Sequence, residues 1–115
     1  MHINQIEKLA DTYEHSVGQG IFGKRFVKLL DLPFKEAVKH HRDVHSILQS
    51  ELEELRQYKA IPKMHEIIRL IGSAISMFEW AERARHSKRK SEEIGALGAA
   101  ASVLEDIKKA YLKLK

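Results

Sequence analysis

Between Met64 and Ala84 an apolar residue returns every third or fourth position: Met64, Ile67, Ile68, Ile71, Ala74, Ile75, Phe78 and Ala81, with Leu70, Met77 and Trp80 widening the stripe. An α-helix brings such positions onto one face, whereas a strand would need alternation. Pro62 stands just ahead of the stripe, where a first helical turn tolerates the N–H that proline lacks. A helix apolar over more than half its circumference has to be central in its fold or face a second subunit. The same period recurs nearly everywhere along the chain, so the predicted class is all-α.

Ile3, Ile6, Leu9 or Ala10, Tyr13 and Val17 predict a first helix over 3–17, ended by Gly18 and Gly20. A short amphipathic helix is expected over 21–30, with Phe22, Phe26, Leu29 and Leu30 on one side and Lys24, Arg25 and Lys28 on the other. Pro33 is placed as the first residue of a helix reaching about residue 58, with the stripe Phe34, Ala37 or Val38, His41, Val44, Leu48, Leu52 and Leu55. Ser91 reads as the N-cap of a last helix with Glu92 and Glu93 in its first turn. Its stripe is Ile94, Leu97, Ala101, Leu104, Ile107, Tyr111 and Leu114, while Gly95, Gly98, Ala99 and Ala100 would let another backbone approach closely. The simplest assembly is an antiparallel helical bundle of three long helices over 33–115, with residues 1–32 packed on it as an N-terminal helical arm of the same domain.

The 115 residues suit one hydrophobic core. The chain contains no cysteine, which removes disulfides, thiolate metal sites and cysteine nucleophiles. Charges at Glu7, Lys8 and Asp11 interrupt any export signal, and the longest uncharged run, 94–104, is about half a membrane span. A cytoplasmic protein without a membrane segment is expected. The formal net charge of +4 leaves nucleic acid or an acidic protein surface open as partners.

Gly18, Gly20 and Gly23 have the spacing G-x-G-x-x-G, followed by Ala37-Val38-Lys39 and His41-Arg42-Asp43. In these letters the chain resembles the protein kinase signature, which would imply a phosphate-cradling loop and catalytic residues. The context departs from that family. The residues before Gly18 have helical period, His41 follows Gly23 by only 18 positions, and Leu48 stands where the metal-binding asparagine belongs. No Asp-Phe-Gly follows. The glycines read as a helix-ending turn, and the expectation is a protein that is not an enzyme and needs no cofactor.

His41 and His45 are four apart and share a helix face, the spacing by which two imidazoles meet a metal; His65 or Glu66 would have to complete the site. The plainer expectation is a pH-sensitive packing contact. Glu51 and Glu54, with Glu79 and Glu82 on the expected antiparallel neighbour, have the spacing of a paired-carboxylate site. Here too the plainer expectation is a solvated charged face shared with Glu53, Arg56 and Lys59.

The densest feature is Arg83, Arg85, Lys88, Arg89 and Lys90, five permanent positive charges in eight residues, with His86 among them. Three uses are open to it: capping a helix end, contacting phosphates, and meeting an acidic partner. "AIPKMHEIIR" and "LGAAASVLEDIKKAY" resemble the small basic four-helix proteins that accompany diversity-generating retroelements and their relatives encoded in ribosomal RNA intervening sequences. That resemblance implies an oligomeric bundle that binds nucleic acid. The function expected is therefore nucleic-acid binding through Arg83, Arg85, Lys88, Arg89 and Lys90, assisted by Lys24, Arg25 and Lys28, in a homo-oligomer formed through the apolar surplus of the Met64–Ala84 stripe. The alternative is a small regulator or inhibitor that docks on a larger protein through Phe22, Phe26 and Trp80.

Overall fold

The computed structural model describes residues 22–114. The expected helix over 3–17, its end at Gly18 and Gly20, and Lys115 lie outside the described residues. The elements in order are α1 (Lys24–Leu30), α2 (Phe34–Ala37), a 3₁₀ turn (Val38–His40), α3 (His41–Leu55), a second 3₁₀ turn (Arg56–Tyr58), α4 (Pro62–His86) and α5 (Lys90–Lys113). The protein is all-α, with no strand among the described residues. No helix among them is long and apolar enough to cross a membrane.

Pro62 is the first residue of α4, as its missing N–H predicts. Nearly the whole predicted stripe of α4 is buried, because α3 covers it on one side and α5 on another. The contact between α4 and α5 is the most extensive in the molecule. Only three residues join these two long helices, so they form a hairpin. The apolar surplus that pointed to a second subunit is thus covered within the chain. Trp80 stays half-buried on its flank.

Several sequence expectations are corrected. The helix predicted over 33–58 is broken at Val38–His40, with His40 at φ −108° and ψ 43° outside helical space. The break lets α2 pack on α5 while α3 packs on α4 and α1, which one straight helix cannot do. Pro33 caps α2 instead of opening it, and its carbonyl accepts from Glu36 and Ala37 N–H. In α5 the N-cap is Arg89 instead of Ser91, although Glu92 and Glu93 keep their first-turn places. The buried face of α5 runs through Ala96, Ala100, Leu104, Ile107, Ala110 and Tyr111, leaving Ile94 63% exposed. Here small alanines, and not Gly95 and Gly98, let α4 approach; a Cβ built on either glycine would meet nothing within 4 Å.

Phe22, Phe26, Leu29 and Leu30 join the same core as α3, α4 and α5. Phe22 stacks on Phe26 at 5.6 Å between centroids and meets Tyr111 edge-on at 5.1 Å. Gly23 opens α1, and its N–H donates to both carboxylate oxygens of Glu51, 3.2 Å each.

Candidate functional site

Helix α4 ends in a tight reversal. Arg89 N–H donates to the Ala84 carbonyl at 2.9 Å and Lys88 N–H to the Arg85 carbonyl at 3.1 Å, the paired bonds of a Schellman C-cap. The motif requires a left-handed residue, and Lys88 supplies it with φ 56°. Glycine is the usual occupant, since a side chain there costs about 1 kcal/mol. Lys88 is the one non-glycine residue with positive φ among those described.

The turn sets out Arg83, Arg85, Lys88, Arg89 and Lys90 as exposed residues at one end of the molecule. The fold brings a second basic segment to them. Across the cleft beside the turn stand Lys39, His40, His41 and Arg42, with Asp43, facing Arg85. Arg85 Nη1 donates to His41 Nε2 at 3.3 Å. The other ring nitrogen, Nδ1, faces Glu82 at 3.7 Å.

Glu82 is the centre of the adjoining cleft, which encloses about 280 Å³ over Phe78. Its carboxylate meets Arg42 Nη2 at 3.4 Å and His86 Nε2 at 3.2 Å. Partial burial pushes its pKa up, but Arg42, His41, His86 and Arg85 together outweigh this and hold it below the usual carboxylate value. One turn back, His45 Nε2 faces Glu79 at 3.6 Å. The pairs His41 with Glu82 and His45 with Glu79 also show that α3 and α4 run antiparallel.

The structure joins some predicted residues and separates others. His41 and His45 answer to carboxylates, and no group of three or more His, Asp or Glu side chains among the described residues converges to hold a metal. His65 instead hydrogen-bonds the Lys59 carbonyl. It lies 17 residues from Glu82 on the same helix, about 25 Å along the axis. The paired-carboxylate arrangement of Glu51 and Glu54 with Glu79 and Glu82, the less plain of the two readings, does not form, because the α3–α4 register puts Glu79 opposite His45. Glu51 is no part of a solvated face: it is 4% exposed. Burial, with a further push from Glu54, raises its pKa to about 7 against the Gly23 hydrogen bond.

Phe22 and Phe26, expected as anchors for a protein partner, are 3% and 1% exposed and so are not presented to one. Lys24, Arg25 and Lys28 are exposed, but α1 lies beside the distal half of α5, where Phe22 meets Tyr111. Tyr111 is 21 residues from Lys90, about 30 Å along the helix. The three cations therefore stand apart from the turn. Lys39 and Arg42 were missed by sequence reasoning, since only the α3–α4 register brings them to Arg85. Glu51 did leave a signal: it falls three residues after Leu48 and four before Leu55, on the buried stripe. Compared with known proteins, the chain matches no family model, no curated protein and no solved structure.

Proposed function

We propose that the protein is a non-enzymatic helical binding module whose basic tip, at the α4–α5 turn, contacts the phosphates of a nucleic acid. The observation that carries this reading is the set of cations outside any salt bridge: Arg83, Arg85, Lys88 and Lys90 make none among the described residues, Arg85 acting on Glu82 only from a longer distance. Four cations at one helix end and its turn, none tied up in a salt bridge, are complementary to a row of phosphates. Lys88 supports the reading from another side. A lysine kept where the backbone favours glycine holds a charge at a conformational cost, and such outliers gather at functional positions.

The contribution of Lys24, Arg25 and Lys28 is small under this proposal, because about 30 Å is several times the screening length of about 8 Å at physiological salt. Nor does the proposal need a second subunit, since α4 is covered within the chain. Binding to a nucleic acid, measured by anisotropy at two salt concentrations, tests it. Affinity should fall steeply with salt, and the combined variant R83A/R85A/K88A/K90A should flatten that dependence by about four contacts' worth. The variant K24A/R25A/K28A should leave it nearly unchanged. Absence of binding at low salt would overturn the proposal.

A further inference from the structure

His41 stands between an anion and a cation. Its Nδ1 faces Glu82 Oε2 at 3.7 Å, and its Nε2 meets Arg85 Nη1 at 3.3 Å. The side chain is 17% exposed, so the α3–α4 seam holds the ring between the two. From its own segment of chain, Lys39, His40, Arg42, Asp43 and His45 face the same pair of clefts. From α4 come Glu79, Arg83 and His86 besides Glu82 and Arg85, and no residue of α5 lines either cleft.

An imidazole changes its charge between about pH 5 and 8, and the protonated ring carries a hydrogen on both nitrogens. A protonated Nε2 has no lone pair left for Arg85, and the two cations repel. On the other side, a charged ring is drawn to Glu82 Oε2, a buried oxygen with no hydrogen-bond partner among the described residues. Protonation of His41 thus exchanges Arg85 for Glu82. His86 acts in the same sense at the other carboxylate oxygen, where its Nε2 lies 3.2 Å from Glu82 Oε1 and competes with Arg42 Nη2 at 3.4 Å. Each exchange frees an arginine at the tip.

We propose that phosphate binding at the basic tip takes up a proton at His41, which lets go of Arg85 as it becomes charged. This rests on the phosphate-binding proposal above and adds the regulation of that site. The coupling runs both ways, as linkage requires. A phosphate that draws Arg85 away removes the cation opposing a proton on His41, and a proton on His41 drives Arg85 toward the phosphate. Affinity therefore rises as pH falls, over a range in which a phosphodiester keeps its charge.

The probe is a labelled mixed-sequence oligonucleotide, alone and annealed to its complement, titrated with the full chain at about pH 8 and about pH 6 in constant salt. Affinity should be about tenfold higher at the lower pH, within the usual range of coupling between two ligands. Calorimetry in buffers of different ionisation enthalpy should show net proton uptake on binding. In H41Q, which stays neutral, the larger part of the affinity gain and of the proton uptake should be lost. Arg85 is exposed, so R85A keeps the fold even where H41Q does not; it should weaken binding at both pH values and also reduce the gain. Adding H41Q to R85A should then change the pH dependence little, because the two residues act through one contact. Equal affinity at the two pH values, a gain that H41Q and R85A both leave intact, or an equal effect of H41Q with and without Arg85 would overturn the coupling while leaving phosphate binding standing. Absence of binding at both pH values would overturn both.

Discussion

Glu51 and Glu82 lie on adjacent helices, and each turns its carboxylate toward a neighbouring segment of chain. Glu82 stands at the basic tip among Arg42, His41, His86 and Arg85, and its pKa is held down. Glu51 lies in the apolar seam with one backbone N–H for company, and its pKa rises to about 7. The same side chain thus serves two purposes. At the tip it holds two basic segments together, and in the seam it ties the start of α1 to α3. The difference shows that what surrounds a carboxylate, more than its exposure alone, decides whether it prefers its charge.

The pH signatures of the two are opposite in sign. Because the folded pKa of Glu51 exceeds its unfolded value, the folded state keeps a proton that the unfolded chain releases. Its contribution is complete below about pH 4.5 and is lost as pH rises through about 7. The folded pKa of Glu82 is depressed, so its contribution is present above the unfolded carboxylate pKa and is lost as pH falls through the folded value.

The largest test of this contrast is Glu51→Gln, which mimics the protonated carboxyl and keeps an oxygen for Gly23 N–H. Denaturant unfolding at pH 8 should show a gain of a few kcal/mol, because the buried carboxylate no longer has to ionise, with little change at pH 4.5. A variant no more stable than wild type at pH 8 would break the comparison. Next in size is Gly23→Ala. The backbone there, φ −64° and ψ 146°, suits alanine, but the new Cβ would lie 2.9 Å from Glu51 Oε2. Pushing the carboxylate aside weakens the Gly23 bond, for an expected loss of about 1–2 kcal/mol. In a Glu51→Ala background the loss should vanish, which a double-mutant cycle measures.

Lys88→Gly should stabilise the fold by about 1 kcal/mol by relieving the left-handed lysine, while lowering the salt slope of nucleic-acid binding by about one contact. A fold weakened by this change would mean that Lys88 packs in a way its backbone does not show. The smallest stability effect is expected for Glu82→Gln, below about 1 kcal/mol, as befits a half-exposed ion-pair centre. Its affinity for nucleic acid should rise several-fold, because Arg42 loses its carboxylate and the tip loses a negative charge. Reduced affinity instead would show that Glu82 positions Arg42 for binding.

Local periodicity by itself determined the helical class, the opening of α4 at Pro62 and most of the core, including Val44, Leu48, Ile67, Ile71, Phe78, Leu104 and Ile107. These are properties of a single helix, whose 3.6-residue turn assigns each residue a face wherever the helix packs. The dense charge of Arg83–Lys90 was equally plain, since it is contiguous. Tertiary structure alone decided that Lys39 and Arg42 join that charge, that Lys24, Arg25 and Lys28 do not, and which of two uses, packing or docking on a partner, Phe22 and Phe26 serve. It decided too that Lys88 adopts a left-handed backbone and that Glu51 is tied to Gly23. Each of these depends on the register and direction of one helix against another, which arise from side-chain packing between residues remote in the chain, and no local period encodes that relation.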